Sequence, residues 1–211
     1  MKLSKEHRKF LERATLQYAE HLDEAAEVLE ARGIDLEHAR SSGLGLVSSP
    51  PAQHERYRGR LAIPYLTDAG PVNMSFRCIQ DHSCKDEGHG KYMKMEGWNA
   101  NLYGVQSITW ADEWIAIAEG ELDALVLHQI GIPALGVPGV GNWKDHWLNI
   151  FDDFSRIYVF ADSDAAGDAM FKKWAARMPT QAIHAKLPKG EDVNSTLVKY
   201  GADRIMAGIK K

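Results

Sequence analysis

Apolar positions in residues 5–32 recur at helical spacing. Phe10, Ala14, Leu16, Tyr18, Leu22, Ala25, Ala26, Val28 and Leu29 alternate with Glu and Arg. One amphipathic helix is therefore predicted, closed by Gly33, with a short helix at Leu36–Ser41. Gly43, Gly45, Pro50 and Pro51 mark a loop. The texture then changes. Leu61–Tyr65 and Val72–Ile79 read as strands around an Asp68-Ala69-Gly70-Pro71 turn. Residues 80–90 are polar and Gly-rich, which predicts an excursion from that sheet, and 92–104 read as irregular.

From Trp114 onward the pattern becomes regular. Trp114–Ala118, Ala134–Val137, Arg156–Ala161 and Gln181–Leu187 are short apolar runs. Helical stretches at Leu122–His128, Trp143–Phe154, Ala165–Met178 and Thr196–Ile209 alternate with them. Continuous apolar strands separated by helices predict a parallel sheet covered on both faces. The fold class is α/β: an α+β N-terminal subdomain at 1–110 and a Rossmann-like parallel-sheet domain at 111–211.

Composition narrows the class. In 211 residues there are 25 Lys+Arg and 29 Asp+Glu, a formal net charge of −4. That balance argues against coating nucleic acid by bulk charge, so any such contact needs a local basic patch. Arg56, Arg58 and Arg60 supply one, followed by Arg77, Lys85, Lys91 and Lys94. The N-terminus carries no apolar run of the kind a secretory signal needs, and the longest apolar run, Trp114–Ala118, is too short to span a bilayer. No membrane role is expected, and the two cysteines fit a reducing cytoplasm.

Carboxylates cluster where an open α/β sheet places its site, at the carboxyl ends of strands. Glu119 follows the first apolar run, Asp162 and Asp164 follow the third, Asp192 lies shortly after the fourth, and Asp123 is one helical turn past Glu119. Converging carboxylates resist ionising together, and a hard divalent cation such as Mg²⁺ resolves the conflict. Helix capping is the competing reading, weighed evenly for Asp192 and Asp168. Ile117–Leu125 (Ile-Ala-Glu-Gly-Glu-Leu-Asp-Ala-Leu) and Val159–Gly167 (Val-Phe-Ala-Asp-Ser-Asp-Ala-Ala-Gly) resemble the two motifs of the TOPRIM fold. Leu187–Asn194 is similar to the primase version of its third. Leu29–Ile34, Gly43–Val47, Tyr57–Tyr65, Phe76-Arg77, Lys91-Tyr92 and Leu102-Tyr103-Gly104 resemble, in order, the catalytic core of the DnaG-type primases.

That resemblance implies a phage-type DNA primase core, a nucleotidyltransferase making short RNA primers from ribonucleoside triphosphates on single-stranded DNA. It implies catalytic Glu119, Asp162 and Asp164. It implies Mg²⁺, with Mn²⁺ as an alternative, at Glu119, Asp123, Asp162, Asp164 and Asp192, and template or nucleotide contacts at Arg60, Arg77 and Lys91. The family's four-cysteine zinc ribbon has no counterpart here, nor does its lysine before Leu-Tyr-Gly. A replicative helicase or separate template-recognition protein is therefore the expected partner, and the host cytoplasm the expected location. A TOPRIM nuclease and a non-catalytic replisome module are the alternatives. Trp98 is weighed for base stacking, with packing favoured, and Pro138–Asn142 is read as a loop beside the metal edge. Cys78, His82, Cys84 and His89 are four zinc-type ligands in cramped spacing. Ordinary strand and loop roles are favoured for them over structural zinc.

Overall fold

A computed structural model describes residues 3–97, 99–178 and 182–209. The chain divides into two compact units, residues 1–31 with 35–99, and residues 32–34 with 100–211.

In the first unit, α1 (Lys5–Ala19) is capped by Ser4, whose hydroxyl accepts from the His7 N–H at 3.1 Å. A 3₁₀ turn (Leu22–Ala25), α2 (Ala26–Glu30) and α3 (Leu36–Ser41) follow. The predicted helix over 5–32 is thus broken after Ala19. There Gly45 lies so close that a Cβ on it would sit 2.2 Å from the Tyr18 carbonyl carbon. A neighbouring strand occupies the space that a continuous helix would use. The sheet runs β1 (Gly45–Leu46), β2 (Arg60–Thr67), β3 (Gly70–Cys78), β4 (Tyr92–Lys94), all antiparallel. The predicted hairpin is present. β4 adds a strand where irregular chain was expected, because three residues are too few to show a period. Leu11, Ala14 and Tyr18 pack on Ala62, Met74 and Phe76. Tyr57 stacks on Phe76 with ring centroids 3.8 Å apart.

The second unit is built on β5 (Trp114–Ala118), α4 (Glu121–Gln129), β6 (Ala134–Gly136), β7 (Arg156–Phe160), α5 (Ala165–Ala175), β8 (Ala182–His184), α6 (Val193–Tyr200) and α7 (Ala202–Met206). Trp143–Phe154, expected as α-helix, forms 3₁₀ turns over Asp145–Phe151. The expected final helix is split at Gly201, whose φ of +78° an α-helix cannot contain. The sheet is parallel, in the order β6-β5-β7-β8. Ile115, Ile117, Ile157 and Val159 meet Met170 and Trp174 of α5 on one face. α4 is buried almost all round, at Leu122, Ala124, Leu125, Val126 and Leu127. This explains why the strands read as unbroken apolar runs. Arg32–Ile34 belongs to this unit: the Gln129 side-chain amide donates to the Gly33 carbonyl at 2.8 Å and that of Asn194 to the Arg32 carbonyl at 3.0 Å. Among the described residues no helix is long and apolar enough to cross a membrane.

Candidate active site

The chain leaves β5 for β6 on one side and returns to β7 on the other. The strand order therefore reverses between β5 and β7, the position at which open α/β sheets bind their ligands. Ala118 pairs with Phe160, so the residues that follow stand at one level. The Asp162 N–H donates to a Glu119 carboxylate oxygen at 3.4 Å. Burial pushes the Glu119 carboxyl above the usual carboxylate range. The Asp162 N–H opposes this, and the charge on Asp164 adds to it.

Asp164 caps α5, its carboxylate accepting from the Gly167 N–H at 2.8 Å. Gly167 is required here by space. A Cβ would meet the Asp162 carbonyl oxygen at 1.9 Å, so only glycine lets the helix start against the loop carrying both aspartates. Asp123 folds back along α4, its Oδ2 lying 3.1 Å from where a Cβ on Gly120 would sit. Asp192 caps α6 through a reciprocal capping box with Ser195, accepting from its N–H at 2.6 Å. The turn before it is tied to the aspartate loop: Gly190 N–H donates to the Ser163 carbonyl at 2.9 Å, and Ser163 N–H to that of Glu191 at 3.0 Å. All five acidic positions thus lie at strand ends or first helical turns around one edge of the sheet. Asp164 and Asp192 each use one carboxylate oxygen in capping a helix. Asp168 sits in the first turn of α5, 3.9 Å from His184. The Pro138–Asn142 loop leaves β6 beside the end of β5 and is closed by the Asn142 side-chain amide on the Pro138 carbonyl at 2.8 Å. An oxygen-rich set at the open end of a sheet suits a hard divalent cation.

The sequence reading did not single out Glu121, the first residue of α4. It is 3% exposed, and its charge together with burial pushes the Tyr103 hydroxyl up. The available signal was an acid at the first helical position followed by an apolar run.

In the first unit, Arg60 and Arg77 are both buried. Arg60 pairs with Cys78 and Arg77 with Leu61, one step along, so the two side chains leave the sheet on opposite faces. Arg60 donates to the Gly90 carbonyl at 3.0 Å and the Lys91 carbonyl at 3.4 Å, with Nη2 3.1 Å from His89 Nδ1. Arg77 donates to the Tyr92 hydroxyl and lies 5.0 Å from that ring's centroid. Its buried Nε finds no partner among the described residues. Lys91 is exposed. The ligating atoms of Cys78, His82, Cys84 and His89 all fall within 4.8 Å of one another. Trp98 lies outside the described residues.

A Toprim-like family model matches residues 116–197. The Gene 57 protein of Mycobacterium phage D29 is 37% identical over 153 residues, which cover 72% of this chain and 99% of that protein. A DNA primase of Halalkalibacterium halodurans is 24% identical over 193 residues; they cover 87% of this chain, which thus spans about a third (32%) of the length of that relative. The RNA polymerase domain of Mycobacterium tuberculosis primase DnaG, in complex with a double-stranded DNA oligomer with a 6-nucleotide overhang, has a similar fold. The TM-score is 0.78 at 20% identity, over 97% of this chain and 80% of that one.

Proposed function

We propose that this chain, a relative of the Gene 57 protein of Mycobacterium phage D29 with a Toprim-like domain in its second half and the fold of DnaG-type primase catalytic domains, synthesises short RNA primers on single-stranded DNA during phage DNA replication, in the host cytoplasm. The observation that carries this reading is the meeting of Glu119 with the Asp162–Asp164 loop at the switch point between β5 and β7. Glu119, Asp162 and Asp164, with Asp123 and Asp192, are the residues to hold Mg²⁺ or, in its place, Mn²⁺. The cation supplies charge for the triphosphate and lowers the pKa of the attacking 3′-hydroxyl. The remaining work belongs to the chain. Glu119 accepts the 3′-hydroxyl proton. The 3′-oxygen bonds to the α-phosphorus of the incoming ribonucleotide, the α–β phosphoanhydride breaks, and pyrophosphate leaves.

Arg77 and Lys91 contact template or nucleotide phosphates, which suits fork-shaped and point-charge donors. Arg60 holds the Gly90–Lys91 turn that presents Lys91. A replicative helicase or a separate recognition protein supplies the start site. The decisive assay offers ribonucleoside triphosphates, single-stranded DNA and Mg²⁺ or Mn²⁺. Template-dependent oligoribonucleotides are expected, and D162A/D164A should lower their yield at least a thousandfold with the circular dichroism spectrum retained. Cleavage of the DNA without polymerisation would establish the nuclease reading instead. Absence of product even with the host helicase would end the proposal.

A further inference from the structure

The excursion between β3 and β4 has no core of its own. From Gln80 to Gly90 the only apolar side chain is Cys84, and most of the segment is exposed. It is nonetheless folded into successive turns: His82 N–H on the Gln80 carbonyl at 3.0 Å, Asp86 N–H on that of Ser83 at 3.0 Å, and His89 N–H on that of Cys84 at 2.9 Å. Small segments without a core are usually held by a cross-link or a metal.

We propose that Cys78, His82, Cys84 and His89 form a structural zinc site that pins this excursion to the sheet. Their four donor atoms lie within 4.8 Å of one another. Cys78 Sγ is 3.5 Å from His82 Nε2, which is 2.9 Å from His89 Nε2. A tetrahedral zinc with two thiolates and two imidazoles sets its ligand atoms roughly 3.3–3.8 Å apart, so small side-chain adjustments complete the shell. Two Nε2 atoms facing each other need a proton or a cation between them. With zinc on Nε2, His89 carries its proton on Nδ1, where the Gly90 carbonyl, 3.2 Å away, accepts it, and Arg60 Nη2, 3.1 Å from that nitrogen, gives up its contact there. The two thiols lose their protons on binding, so their charges cancel that of Zn²⁺. Arg60 is then a positioning residue, holding the Gly90 carbonyl from the other side at 3.0 Å.

The site is independent of the acidic edge, and so is its test. The full chain, purified without chelator or added metal, should carry one zinc. That zinc should survive dialysis against Mg²⁺, remain in D162A/D164A, and be released when a mercurial modifies the thiols. His82 is exposed, so H82N should fold normally while retained zinc falls at least tenfold. Co²⁺ loaded in place of zinc should show thiolate charge-transfer and tetrahedral visible absorption, both lost in C84S. A zinc-free chain that takes up no Co²⁺ and shows two reactive thiols would overturn the proposal. So would a Cys78–Cys84 disulfide found by mass, or zinc lost in D162A/D164A but kept in H82N.

Discussion

Gly167 shows how one missing Cβ can decide a site. The Asp162 carbonyl occupies the space of any larger side chain. Gly167→Ala must push the α5 start away from the Asp162–Asp164 loop, at a cost of about 3 kcal/mol. Primer synthesis should fall with stability, as read by urea unfolding beside the template assay. His54 supports a second prediction at this scale. It is buried among Phe10, Tyr18, Tyr57 and Phe76, with Nδ1 2.8 Å from the Tyr18 hydroxyl. Burial, helped by His7, lowers its pKa from 6.5 to about 4. Above pH 6.5 the ring is neutral whether the chain is folded or not, and its contribution is complete. Between pH 6.5 and 4 the unfolded chain takes up a proton that the folded one refuses, so stability falls as pH falls, by on the order of 2 kcal/mol. H54Q should flatten that slope in denaturant titrations stepped through the same window. A slope unchanged in H54Q would place the acid sensitivity elsewhere. The zinc-type quartet was visible in the sequence as residues but not as a site. Its Cys-x₃-His-x-Cys-x₄-His spacing matches no familiar knuckle, and only the turns at Ser83–Glu87 and Cys84–His89 bring the donors together.

At the scale of elements, strand runs and motif order were the most legible features, because burial on both faces leaves an unmistakable apolar signature at Trp114–Ala118 and Arg156–Phe160. Breaks were not legible. Where α1 ends depends on the close approach of Gly45 to Tyr18, a contact between residues far apart in sequence. Gly201 was visible, but its positive φ was not. The caps are the element-level test of the acidic set, because Asp192 caps α6 and also belongs to the proposed metal set. Asn caps a helix about as well as Asp, whereas Ala costs about 1 kcal/mol. D192N should therefore keep the melting temperature and D192A should lower it. Both should weaken Mg²⁺-dependent synthesis, because both remove the charge. If D192N were fully active, Asp192 would be a cap and nothing more.

For the molecule as a whole, the formal charge of −4 and the proposed grip on a polyanion meet in the salt dependence of template binding. A chain that coats DNA releases many counterions and loses affinity steeply with salt. This one has few cations assigned to the strand: Arg77 and Lys91, with Arg60 engaged by the Gly90 and Lys91 carbonyls. Two or three phosphate contacts on single-stranded DNA give a log–log slope between about −1.4 and −2. R77A and K91A should each make it shallower by about 0.7 and weaken binding evenly across template sequences. Fluorescence anisotropy with a labelled oligonucleotide over a salt series measures all three slopes. A wild-type slope near −5, or one untouched by both substitutions, would show that other cations carry the strand. A shallow slope that R77A and K91A erode also explains how an acidic chain can work on DNA.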